Sequence, residues 1–78
     1  MAEKLTFTYN PEADILYIDK TPPYEGQESE ELGDDVIARL NPATGEIENL
    51  EVLFFTTRLH GRKLLELPVT ADLHRVRN

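Results

Sequence analysis

Leu5-Thr6-Phe7-Thr8-Tyr9-Asn10-Pro11-Glu12-Ala13-Asp14-Ile15-Leu16-Tyr17-Ile18 decides the fold class. Apolar side chains and Thr alternate over the first five residues, so Leu5, Phe7 and Tyr9 share one face of a strand. Asn10 to Asp14 is a turn, because Asn and Asp bond their own backbone and Pro fixes φ at the corner. Ile15 to Ile18 is β-branched and aromatic, with apolar residues on both faces. That pattern suits a central strand, or a strand with one face against a partner chain. Two strands this close in sequence pair as an antiparallel hairpin, here with a predicted loop of about five residues.

Downstream the same logic repeats. Pro22-Pro23 ends the second strand, since neither residue donates a ladder hydrogen bond. The stretch Lys20 to Asp35 reads as irregular, and its part from Glu25 to Asp35 as a solvated charged loop. Val36-Ile37-Ala38-Arg39-Leu40 is a third strand, and Asn41-Pro42-Ala43-Thr44-Gly45 a second turn with Gly45 at positive φ. Glu46 to Phe54 is a fourth strand with two rows: Ile47, Asn49, Glu51 and Leu53 on one side, Leu50, Val52 and Phe54 on the other. The second row is the better core face. Thr56 to His60 predicts one or two helical turns, capped by Thr56 or Thr57 and stopped by Gly61. Val69 to Leu73 alternates again and reads as a fifth strand, with a short helix over Ala71 to Arg75 as the competing assignment. The expected fold is therefore β-rich α+β: a small antiparallel sheet of four to five strands, with one short helix after the fourth.

The chain has 78 residues, enough for one domain spanning 1–78. With 40% hydrophobic residues it is too apolar for a disordered chain, and at net charge -7 it is too acidic for a general nucleic-acid binder. It has no cysteine, which removes disulfides, zinc–thiolate sites and thiol nucleophiles together. Its longest apolar runs, Ile15–Ile18 and Val52–Phe55, fall far short of the ~20 residues of a membrane span. Met1-Ala2-Glu3-Lys4 begins no apolar leader, so a cytoplasmic protein is expected. A core this small, without disulfide or metal support, favours a homodimer.

Three segments carry a family resemblance: Tyr9-Asn10-Pro11-Glu12-Ala13-Asp14-Ile15-Leu16-Tyr17-Ile18, Gly33-Asp34-Asp35-Val36-Ile37-Ala38, and Gly45-Glu46-Ile47-Glu48-Asn49-Leu50-Glu51-Val52-Leu53. Their order and spacing resemble DUF2283, a family of small bacterial proteins of unknown function. The likeness covers 5–54 as a sheet core and leaves 55–78 as a basic C-terminal extension. Asn49 departs from it, standing where the family usually has Gly, which bears on a bulge or a close backbone approach. The resemblance implies a small β-rich α+β domain. Through members encoded beside small toxin-like proteins, it also implies an antitoxin-like pairing with a small basic toxin.

Chemistry-bearing residues are few. Glu12 and Asp14 are the one carboxylate pair placed for acid–base work, and with an acidic-loop carboxylate they would make a small metal-dependent hydrolase. The plainer reading has Asp14 holding its turn and Glu12 facing solvent. Glu25, Glu28, Glu30, Glu31, Asp34 and Asp35 lack the alternate spacing of a calcium loop. His60 and His74 fall in no metal-binding motif, and no phosphate-cradling glycine loop occurs. No catalytic, cofactor-binding or metal-ligating residue and no cofactor is assigned, so a non-enzymatic protein is expected. Charge is more informative. Residues 1–53 hold 13 acids against 3 bases, net -10, whereas 54–78 hold 2 acids against 5 bases (Arg58, Arg62, Lys63, Arg75, Arg77), net +3. The asymmetry favours the tail lying on an acidic surface, its own or a neighbour's. The expected function is a dimeric interaction module, with a basic protein as a further partner and no nucleic acid or membrane.

Overall fold

The computed structural model describes residues 4–62 and 64–77. The reading of the first residues as leaderless, and Lys63 of the basic tail, lie outside the described residues. Five strands form one antiparallel sheet: β1 (Thr6–Asn10), β2 (Ile15–Asp19), β3 (Glu28–Gly33), β4 (Val36–Leu40) and β5 (Ile47–Leu53), in the spatial order β1-β2-β5-β4-β3. Among the described residues one short helix, α1 (Phe55–Leu59), follows β5. The last strand thus lies in the middle, and β2, paired on both sides, is internal. Its apolar residues fall on both faces, Leu16 and Ile18 toward the core and Ile15 and Tyr17 away from it.

The two turns rhyme at the atomic level. Asn10 Oδ1 accepts from the backbone N–H groups of Glu12 and Ala13 at 3.0 and 3.3 Å. Asn41 Oδ1 does the same for Ala43 and Thr44 at 2.8 and 3.2 Å. Both side chains replace a backbone acceptor in a tight corner. The β1–β2 loop has four residues rather than about five, since Asn10 pairs with Ile15.

The acidic stretch is not a loop throughout. Glu28–Gly33 forms edge strand β3, and its hairpin to β4 turns on Asp34 and Asp35, with φ of 55° and 59°. Two consecutive positive φ values make the turn whose twist matches flanking strands, and Asp tolerates that region better than most residues. The helix therefore follows the fifth strand rather than the fourth. Neither the strand over Val69 to Leu73 nor the helix over Ala71 to Arg75 forms; 64–77 has no regular element among the described residues. Instead Leu67 and Val69 pack on the core, while Leu73 is 78% exposed.

Cross-strand partners share a face, which divides the sheet cleanly. Ile18, Val36, Ala38, Leu50 and Val52 form the buried core on one side, joined by Leu16, Leu40 and Ile47. Phe55 of α1 and Leu67 and Val69 of the tail cover them. Ile47 reaches that side because the register slips between Arg39 and Leu40: Arg39 pairs with Asn49, Leu40 with Ile47. Glu48 is the extra residue of this bulge, and bulges re-aim side chains in this way. Leu50 and Val52 are buried as the alternation predicts. Phe54 is not: it leaves the strand with φ 53° and ψ 45°, and its side chain is exposed.

A left-handed backbone at a non-glycine residue is strained by about 1–2 kcal/mol. Because the Phe54 ring is exposed, Phe54→Gly is expected to raise stability by about 1 kcal/mol, read as a higher midpoint in urea denaturation. A lower midpoint would mean that the ring contributes packing that outweighs the backbone strain.

Candidate functional site

Glu12 and Asp14, the pair singled out for acid–base chemistry, do different things. Glu12 is exposed on the first turn. Asp14 sits at φ 56°, and both its carboxylate oxygens are engaged. Oδ1 accepts the Tyr9 hydroxyl at 2.8 Å and the backbone N–H of Thr56 at 3.0 Å, and Oδ2 accepts the Thr56 hydroxyl at 2.9 Å. Its carbonyl accepts the Phe55 N–H at 3.0 Å. Asp14 does not hold its own turn, which Asn10 closes. It caps the start of α1 from 42 residues away, where Phe54 offers no side-chain cap and neither Thr56 nor Thr57 serves as one. The Thr56 N–H, and after it the Tyr9 hydroxyl, hold the Asp14 carboxyl below its ordinary range; that donation to Asp14 raises Tyr9. A carboxylate so occupied is a fastener rather than a base.

The other candidates are dispersed. Glu28, Glu30 and Glu31 lie along β3, Asp34 and Asp35 form the turn, and His60 follows α1. His74 lies near Asp72, with Nε2 3.2 Å from Oδ2. Among the described residues, no cluster of three or more His, Cys, Asp or Glu side chains is placed to hold a metal ion. Of the basic tail, Arg58 meets an acid: Nη1 donates to Asp34 Oδ2 at 3.3 Å and Nη2 to the Asp34 carbonyl, tying α1 to the β3–β4 turn.

A second centre lies on the face of the sheet away from the core, and the charge pattern alone did not reveal it. Asn49, only 2% exposed, is its hub. Its Nδ2 donates to Asp19 Oδ1 at 2.9 Å and to the Thr21 carbonyl at 2.7 Å, and its Oδ1 accepts from Gln27 Nε2 at 2.7 Å. These bonds pin the 21–27 connection against β2 and β5, giving a buried amide the partners it needs. Gln27 Nε2 and the Tyr24 hydroxyl both donate to Glu48 Oε1, at 3.1 and 2.6 Å, and Asn41 Nδ2 to Oε2 at 3.3 Å. The Tyr24 hydroxyl is the main reason Glu48 lies below its ordinary range, and the same bond raises Tyr24.

Above this network opens a cleft of about 370 Å³. Tyr17 and Tyr24 supply its rings, and Asp19, Glu25 and Glu51 its carboxylates. Among the described residues Arg39 is the one cation of its lining, held by Glu51 at 2.8 Å. Chemically it offers aromatic faces beside an excess of negative charge, which suits a cationic or hydrogen-bond-donating group. The sequence did carry one trace of it: Asn49 and Glu51 interrupt an otherwise apolar row between Ile47 and Leu53.

Comparison with protein families matches DUF2283, described as a protein of unknown function, over residues 6–55, which is 50 of the 78 residues. Comparisons with curated proteins and with solved structures give no match.

The two centres separate experimentally. Asp14→Asn keeps the left-handed backbone accessible and removes the charge. It is expected to lower Tm at neutral pH. Because folding lowers the Asp14 pKa, its contribution is complete above the ordinary carboxylate value near ~4 and is lost as pH falls through the folded value. Tm of the variant should therefore fall less steeply in acid, the two curves converging; parallel curves would contradict the capping role. Asn49→Ala is expected to cost about 1–3 kcal/mol, by leaving Gln27 and Thr21 without their partner, and to raise amide exchange across 21–27. Unchanged protection there would show that the connection is held by something else.

Proposed function

The chain belongs to DUF2283, a family without an assigned activity, and we propose that it is a non-enzymatic interaction module whose cleft receives a basic segment of a partner protein. The observation that carries this reading is the lining of the cleft: Asp19, Glu25 and Glu51 against Arg39 alone, between the rings of Tyr17 and Tyr24. A lysine or arginine entering it meets a tyrosine face and a carboxylate together, and desolvation there strengthens both contacts. The floor is held from within the chain, since Asn49 is bonded to Asp19, Gln27 and Thr21, so little ordering opposes binding. The net charge of -7 draws a cationic partner from a distance. A small basic toxin held in an antitoxin-like pair is one partner of this chemistry.

The hydrolase reading finds no support in Asp14, whose oxygens are both taken. No helix among the described residues is long and apolar enough to cross a membrane, and a soluble partner in the cytoplasm fits the reading.

Fluorescence anisotropy with a labelled Arg- and Lys-rich peptide tests the proposal. Binding is expected at low salt and should weaken as salt rises. Glu25→Lys should weaken it at least about tenfold, or about 1.4 kcal/mol. Glu30→Lys changes net charge equally but lies on the opposite face, across from Ala38; it should have a much smaller effect. Equal losses in the two variants would reduce the attraction to overall charge, and no binding at low salt would overturn the reading.

A further inference from the structure

The sheet ends in two edges, and they are built in opposite ways. β3 carries Glu28, Glu30 and Glu31, all exposed, with Asp34 and Asp35 at its turn and a register irregularity between Glu31 and Gly33. Charges and bulges along an edge are what keep strands from adding to it. β1, Thr6-Phe7-Thr8-Tyr9-Asn10, has no charged residue, no proline and no bulge in its pairing with β2. It also carries the apolar side chains that the tail leaves open. Phe7 pairs with Ile18 and Tyr9 with Leu16, on the core face, yet Phe7 is 60% exposed, Leu5 43% and Tyr9 39%.

We propose that β1 is the edge at which a second copy of this chain pairs, antiparallel and centred on Thr8, joining two five-stranded sheets into one of ten. This goes beyond the cleft, which lies on the other face. Two observations select a second copy rather than another occupant. The strand is self-complementary about Thr8: a two-fold axis there sets Thr6 opposite Asn10, Phe7 opposite Tyr9, and Thr8 opposite itself. Aromatic pairs and threonine pairs are both favourable cross-strand neighbours. Finally, two chains of net charge -7 repel over most of their surfaces; β1 is the edge along which no like charges meet. The symmetry is that of a closed, isologous dimer, and on the core face it brings the two Phe7 and Tyr9 sets beside each other, extending each core across the seam.

The self-opposition of Thr8 gives a test that an ordinary contact does not. In size-exclusion chromatography with light scattering at low micromolar concentration, the native chain should have twice its 8.9 kDa mass. Thr8→Lys and Thr8→Glu should each run as single chains with unchanged circular dichroism, because each sets like charges face to face. Mixed in equal amounts they should recover the doubled mass. Ser29→Lys, on the opposite edge, should remain double. A native chain of single mass, a Thr8→Lys chain of doubled mass, or folded variants that fail to recombine would each overturn the proposal. If the charged variants lose their fold, Thr8→Cys decides: in this cysteine-free chain mild oxidation should give a covalent dimer, and Ser29→Cys should not. The absence of Thr8→Cys cross-linking would also overturn it. Peptide binding at the cleft is measured separately, so either reading can fail while the other stands.

Discussion

The Asp14 carboxylate is where the sheet and its cover are joined. The left-handed backbone at the end of the first turn aims it at the start of α1, where it accepts the Thr56 N–H and hydroxyl while Tyr9 donates from β1. A five-residue helix is too short to persist by itself, and this one has no cap of its own. It exists because the hairpin supplies that cap. With α1 held, Phe55 lies on the core and against Tyr9, ring centroids 5.8 Å apart, and the chain returns so that Leu67 and Val69 pack on the core cluster.

The opposite face is organised by a different device. The second side mixes half-buried Ile15, Ile37 and Leu53 with polar groups that satisfy one another around Asn49. The two faces divide the labour. One supplies stability through apolar contact, and the other presents a fixed arrangement of carboxylates and tyrosines to solvent. Glu48, the extra residue of the β5 bulge, is what permits both. It moves Ile47 onto the core side while leaving Asn49 and Glu51 on the other.

Period-two alternation made β1, β4 and β5 legible, and the β-branched and aromatic run Ile15–Ile18 did the same for β2. It could not reveal β3, whose exposed face and edge are acidic and whose one partly buried apolar residue is Leu32; such a strand is defined by its neighbour rather than its own pattern. Hence the helix was expected one strand early. Val69 to Leu73 shows the converse failure, an alternation that the chain uses for a packing contact at Val69 and then abandons. Asp14 was legible as structural but not in its partner, since a bond spanning 42 residues leaves no local signature. The cleft depends on Tyr24 and Gln27 being brought to β5 by a connection with no periodicity at all.

The stretch shared with the family ends at Phe55, the first residue of α1. The residues that close the apolar face, Leu67 and Val69, and the Thr56 groups that Asp14 holds, all lie beyond it. The sheet of this chain is therefore roofed in part by sequence outside the matched stretch, and the Thr56 donors to the Asp14 carboxylate are where that sequence is fastened to it.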